Sequence, residues 1–232
     1  MTTPKARFGY TEKDMADAFL ELLRSREGLP DVGPFDGVYR EISCRQGRPD
    51  FIALRNRNGC QPLDLRESHG FVDPAILTIL KPTAPRTLSY LTGHSEFSES
   101  SLRRSLRQLA ASGHVERTET GAYRLGSAVT QLQAELWAFE LKLDNPRRAL
   151  FQAKQSRTYA DRTIIVVPPG QERNYRRYSA AMTRWGIGLY VFDVTTSEIR
   201  MFRRGRRFRP LSLQHQFYTI ARLQSVTRGL RP

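Results

Sequence analysis

Two short segments, far apart in the chain, carry side chains suited to chemistry on phosphate oxygens. Pro49-Asp50 precedes the apolar run Phe51–Leu54, and Glu140-Leu141-Lys142 lies inside the run LWAFELKL. Strand residues two apart project from the same face, so an extended run puts Glu140 and Lys142 on one face. Asp50, opening a neighbouring strand, places a second carboxylate at the same spot. Two carboxylates, the Leu141 carbonyl and water make a hard-oxygen set suited to Mg²⁺, with Mn²⁺ as a substitute. Such an ion polarises a phosphate oxygen and steadies charge on the leaving oxygen. Lys142 then positions or activates the attacking water and offsets the developing negative charge. The plainer alternative is an Asp50 that opens a turn and a solvated Glu140/Lys142 pair.

The elements that must position these groups are legible from periodicity. Thr11 followed by EKDMADAFLELLRSREG reads as a capped amphipathic helix with Met15, Phe19 and Leu22 on one stripe, stopped by Gly28 and Pro30. VYREISC and FIALR around QGRP read as a hairpin over 38–55, with a further strand possible near Pro62–Arg66. From Asp73 the character changes to three helices, DPAILTILK, RTLSYLTG and SESSLRRSLRQLAASG. A small hairpin of HVERTE and AYRL around Thr120-Gly121 follows. Leu102, Leu106 and Leu109 form the buried stripe of the third helix. After Gly126 come a short polar helix, the strand LWAFELKL, and a helix capped by Asp144-Asn145-Pro146 that runs to about Ala160. The strand TIIVVP, a helix from about Glu172 to Trp185, the strand GLYVFDV, a hairpin through Glu198–Phe202 and a final helix near Ser212–Ser225 complete the chain. This alternation predicts an α/β layer with partly parallel strands.

GRPDF and FELKL together resemble the PD-(D/E)xK nuclease signature. The acid-bearing first helix and the order helix, hairpin, strand, helix, strand agree with that superfamily. Gln155 and Tyr159, four apart, are similar to the Gln-x-x-x-Tyr element of one nuclease branch of it. The resemblance implies a restriction-endonuclease-like mixed sheet flanked by helices, metal-dependent hydrolysis of DNA phosphodiesters, and a 5′-phosphate product. It also implies Asp50, Glu140 and Lys142 as the catalytic set, with Asp50, Glu140 and the Leu141 carbonyl on the metal. Glu12, near the core-facing seam of the first helix, is the candidate for the first-helix acid; a simple dipole partner is the alternative. Gln155 and Tyr159 either bind a phosphate or orient metal-bound water, or are ordinary helix-flank residues. Glu41, read as lying on the strand before Asp50, is a candidate extra ligand. Glu140 follows Asp50 by 90 residues, where the superfamily usually has a short connection. An insertion explains this, since loop closure becomes costlier only slowly with length.

That insertion, 73–126, resembles a winged helix-turn-helix domain between two parts of the nuclease core, 1–72 and 127–232. Its third helix would be the recognition helix, with Arg103, Arg104 and Arg107 facing phosphates or base edges. Winged helices also bind proteins, so contact with DNA or with a protein partner both stay open for this segment.

Charge refines the expectation. The chain of 232 residues has 37 Lys plus Arg against 23 Asp plus Glu, a net +14, and 32 of the bases are Arg. Residues 147–232 hold 18 bases against 4 acids, which equals the whole net charge, whereas 73–126 holds 7 against 5. The phosphate grip is therefore expected in the C-terminal part of the presumed core. Within it, Arg203, Arg204, Arg206, Arg207 and Arg209 form a basic stretch in which Phe208 could stack on an unpaired base. Arg147, Arg148, Arg157, Arg173, Arg176 and Arg177 add to this side. Cys44 and Cys60 have no Cys or His cluster at metal spacing, and the four histidines are scattered. No apolar run approaches a membrane span or a signal peptide, which points to a cytoplasmic protein. The expected partner is DNA, with a homodimer possible. The rival readings are a non-catalytic DNA-binding regulator and a recombination or assembly factor on a nuclease-like scaffold.

Overall fold

The computed structural model describes residues 8–25, 29, 32–56, 70–130 and 134–229. The proposed strand near Pro62–Arg66 and Cys60 lie outside these. In chain order the described elements begin with α1 (Glu12–Arg24), β1 (Gly37–Arg40), β2 (Phe51–Asn56), α2 (Val72–Ile79), α3 (Leu88–Gly93) and α4 (Glu99–Ala111). They continue with β3 (Val115–Arg117), β4 (Tyr123–Leu125), α5 (Ser127–Thr130), β5 (Ala134–Leu141), α6 (Pro146–Ser156) and β6 (Arg162–Val167). A 3₁₀ helix (Gln171–Tyr178), α7 (Ser179–Trp185), β7 (Gly188–Phe192), β8 (Ile199–Arg203) and α8 (Leu213–Gly229) complete them. Two units emerge, Met1–Asn56 with Ala134–Leu211, and Arg57–Gln133 with Ser212–Pro232.

The first unit is an α/β layer. Its six strands run in the order β1-β2-β5-β6-β7-β8, with β5, β6 and β7 parallel and the remaining pairs antiparallel. Consecutive apolar residues in β6 require burial on both faces, and the packing supplies it. Ile164 and Val166 join Phe51, Trp137, Phe139 and Leu141 against α1 on one face. Ile165 and Val167 join Leu189 and Val191 against Ala149 and Ala153 of α6 on the other. Helix α1 starts in a reciprocal capping box between Thr11 and Asp14 and buries Met15, Ala16, Phe19 and Leu23. Leu22, expected on that stripe, is only half-buried beside it.

The connection from β1 to β2 differs from the expected tight turn. Arg40 pairs with Phe51, so residues 41–50 form a loop. Glu41 at φ 52° and Arg45 at φ 58° leave the extended region, which ends the strand early. Glu41 therefore stands just beyond β1, where its carboxylate pairs with Arg48. Asp50 closes the loop immediately before β2.

The second unit gathers α2, α3 and α4 with the two-stranded β3–β4 ribbon, to which Arg86 adds an isolated bridge through Tyr123. Leu102, Leu106 and Leu109 are buried, and Ser98 caps α4 through the Ser101 amide. The final helix belongs here rather than to the α/β layer. Phe71 meets His215 and Tyr218 of α8 edge-on at 5.0 and 5.5 Å, and Phe217, Ile220 and Leu223 are buried. Amphipathic spacing foretells the helix but not the surface it covers. Among the described residues no helix is long and apolar enough to cross a membrane.

Candidate active site

Strand register decides what meets what. β2 and β5 pair antiparallel with Phe51 opposite Phe139, so Asp50 falls beside the end of β5 where Glu140, Leu141 and Lys142 stand. The contact is direct: the Leu141 amide donates to Asp50 Oδ2 at 2.7 Å. Residues 90 apart in sequence thus meet at one end of the sheet.

Lys142 is held by three oxygens. Its Nζ lies 2.6 Å from the Leu141 carbonyl, 3.0 Å from Glu12 Oε1 and 3.4 Å from Asp50 Oδ2. Burial opposes the ammonium, but Asp50, then Glu12 and Glu140, outweigh it and hold the pKa above the ordinary lysine value. Lys142 is therefore a cation in this site. The capping box that starts α1 directs Glu12, in the first turn, towards this ammonium.

Glu140 is the least compensated group. It is 1 % exposed, and its Oε2 is buried without a hydrogen-bond partner among the described residues. Burial first, and the Asp50 charge second, push its pKa up to about 8. Burial also raises Asp50, with Lys142 and the Leu141 amide pulling the other way. Three carboxylates, Glu12, Asp50 and Glu140, thus face one lysine, a surplus of two negative charges when all are ionised. No three His, Cys, Asp or Glu side chains among the described residues converge as a ligand set. A divalent cation here would rest on Asp50, Glu140, the Leu141 carbonyl and water. The orphaned Glu140 oxygen and the double negative surplus fit such an ion. Lys142 now takes the Leu141 carbonyl, so that oxygen is shared between the two uses.

The Glu140 environment predicts a pH dependence. In metal-free solution between about pH 5 and pH 8, folded Glu140 keeps a proton that the unfolded chain has released. Stability therefore falls as pH rises through that window, by up to about 1.4 kcal/mol per unit. Urea unfolding in EDTA should show this slope in the wild type and not in Glu140→Gln; equal slopes would mean Glu140 titrates normally.

The other candidates divide. Gln155 sits over the loop that delivers Asp50, with Oε1 facing Gly47. Tyr159 is fully buried, and its hydroxyl donates to Ser156 Oγ at 3.1 Å, so it presents nothing to a phosphate. Helix α6 ends at Ser156, which takes Tyr159 off the shared helical face with Gln155 that the spacing implied. Burial, and after it the Cys44 thiol, raise the Tyr159 pKa well above its ordinary value. Arg148, which sequence grouped only with the general basic side, lies close enough to Glu140 to favour its ionised form. Its position in the first turn after Asn145-Pro146 is the signal that could have singled it out. Arg103, Arg104 and Arg107 are exposed on α4, with Arg103 ion-paired to Glu99. The basic stretch from Arg203 to Arg209 lies elsewhere in the first unit. Phe208, expected to stack on a base, packs against the Arg157 guanidinium at 5.0 Å and against Gly186 and is otherwise exposed.

No protein-family model, curated protein or solved structure matches the chain.

Proposed function

We propose that the chain is a divalent-metal-dependent nuclease of the PD-(D/E)xK kind that hydrolyses DNA phosphodiesters. The observation that carries this reading is the meeting of Asp50, Glu140 and Lys142 at one sheet end, where a buried Glu140 oxygen has no hydrogen-bond partner among the described residues. A bound Mg²⁺ or Mn²⁺ would supply Lewis-acid polarisation of a phosphate oxygen and neutralise the negative surplus. The side chains have separate tasks. Asp50 and Glu140 offer the anionic oxygens. Lys142, kept protonated, faces the charge that develops on the phosphoryl group. Glu12 holds Lys142 from the side of α1 and is a positioning residue. Arg148, exposed at the start of α6 and close enough to act on Glu140, would hold a phosphate next to the one attacked.

The helix order of the second unit, with its capped α4 and two-stranded ribbon, supports a winged helix-turn-helix that selects DNA sequence or structure. The near-neutral charge of residues 73–126, 7 bases against 5 acids, suits selection more than affinity. Supercoiled plasmid, linear, branched and single-stranded DNA, each incubated with Mg²⁺ or Mn²⁺ and with EDTA, test the proposal. Metal-dependent nicking of at least one is expected. Binding without nicking of any would favour a non-catalytic DNA-binding role.

A further inference from the structure

The basic stretch is not part of the candidate active site. Arg162 opens β6 opposite Trp137, and Lys142 lies five residues further along β5, about 17 Å away at strand rise. Arg203 pairs with Leu189 near the start of β7, at the same end as Arg162. Arg162, Arg203, Arg204, Arg206 and Arg207 there line an open cavity of about 540 Å³ with the Gly205 backbone.

This stretch is strapped to the sheet rather than loose. Gly188 and Gly205 lie face to face, and a side chain on Gly188 would meet the Gly205 amide at 2.8 Å. The Arg206 amide donates to Gly186 O and the Phe208 amide to Asp161 O, each at 3.0 Å. Buried Arg157 donates to Ala160 O at 2.6 Å and to Arg209 O at 3.4 Å, and its guanidinium lies 5.0 Å from the Phe208 ring centre. The guanidinium groups are thereby presented from a fixed backbone, which lowers the ordering cost of binding.

Their partners leave charge to spare. Arg162 donates to Glu135 at 2.7 Å and to Gly205 O at 2.7 Å, and Arg203 donates to Ser179 at 3.0 Å and to Thr183. Arg207 stands 4.0 Å from Glu135 and 3.9 Å from Asp161. Arg204 and Arg206 are exposed and have no ion-pair partner among the described residues. Five guanidiniums against two carboxylates give a surplus of three positive charges.

We infer that this cavity is a second phosphate-binding site, separate from the candidate active site, that takes the phosphodiester backbone of a nucleic acid. Arg203, Arg204, Arg206 and Arg207 follow one another over a segment of at most about 13 Å, which suits neighbouring phosphates more than one anion. Among the described residues no aromatic ring lines the cavity to hold a nucleobase. Contacts of this kind fix position and add affinity without reading sequence. The site needs no cleavage to operate, so it stands or falls apart from the nuclease proposal.

Fluorescence anisotropy of a labelled duplex with the full chain in EDTA, across a range of salt, tests it. Arg204→Ala/Arg206→Ala should lower the slope of log affinity against log salt by about two and weaken binding about tenfold near 0.1 M salt. Arg204→Lys/Arg206→Lys should keep most of the slope, and Mn²⁺ binding should be unchanged in both. Tripolyphosphate should compete with the duplex only at millimolar concentration. An unchanged slope and affinity in the alanine variant would overturn the inference. Displacement of the duplex by micromolar tripolyphosphate would overturn it too, in favour of a small-polyphosphate site. Altered thermal unfolding in both variants alike would make the arginines structural and overturn it as well.

Discussion

Glu140→Gln should lower the rate of metal-dependent plasmid nicking by about 10³-fold while leaving the fold intact. The reasoning rests on the state of the buried carboxyl. Without metal, Glu140 is protonated near neutral pH, since burial and the Asp50 charge hold its pKa at about 8. A glutamine of the same shape then replaces a neutral acid, so little stability is lost and inactivity cannot be attributed to unfolding. What glutamine cannot do is release a proton to become an anionic ligand. Lys142→Ala should lower the rate comparably, but it is the less clean experiment. It strips Glu12 and Asp50 of their shared cation and leaves a partly buried carboxylate without it, which destabilises the site by itself. Nicking by Glu140→Gln at the wild-type rate would remove Glu140 from the chemistry.

Phe19→Ala should give the largest loss of stability, about 3–5 kcal/mol. Phe19 is fully buried, and its ring meets Phe51 at 5.9 Å, Phe139 at 5.5 Å and Phe192 at 5.4 Å. These rings come from β2, β5 and β7, so the helix cannot slide to refill the space without losing three contacts. Edge-on and tilted aromatic packing adds to the area term. Both tryptophans, Trp137 and Trp185, lie in the α/β unit, so fluorescence reports its unfolding separately from the helical unit. The midpoint should fall by roughly 10 °C. Because α1 also carries Glu12 to Lys142, the variant should lose activity below the temperature at which it unfolds. An unchanged fluorescence midpoint would mean that α1 does not anchor the core.

How much of this was legible in the sequence follows from what each signal encodes. The two-residue spacing of Glu140 and Lys142 within an apolar run suffices to put them on one face, because strand parity is local. The capping residues of α1 and the leucine stripe of α4 are equally local, and both helices form where expected. The α/β layer interrupted by a helical segment is legible because the segment differs in pattern from its flanks. What fails is non-local. The 41–50 loop replaces a tight turn because two non-glycine residues adopt positive φ, which residue type does not announce. Tyr159 is lost to the core because α6 stops at Ser156, three residues before the spacing argument needs it to continue. The last helix shows an apolar face, yet nothing in the periodicity says that α2 rather than the sheet will cover it. The arginine stretch is conspicuous in composition, but its distance from Glu140 depends on the parallel course of β5, β6 and β7, which only the assembled sheet reveals.

The central claim is that Asp50 and Glu140 form one divalent-cation site whose occupation requires Glu140 to lose its proton. Calorimetric titration of Mn²⁺ into the metal-free chain, in buffers of different ionisation enthalpy, tests this directly. The expected result is one ion per wild-type chain, with release of about one proton and affinity falling about tenfold per pH unit below about pH 8. Glu140→Gln should not bind. Absence of Mn²⁺ binding by the wild type at pH 8, or equal binding by Glu140→Gln without proton release, would contradict the account.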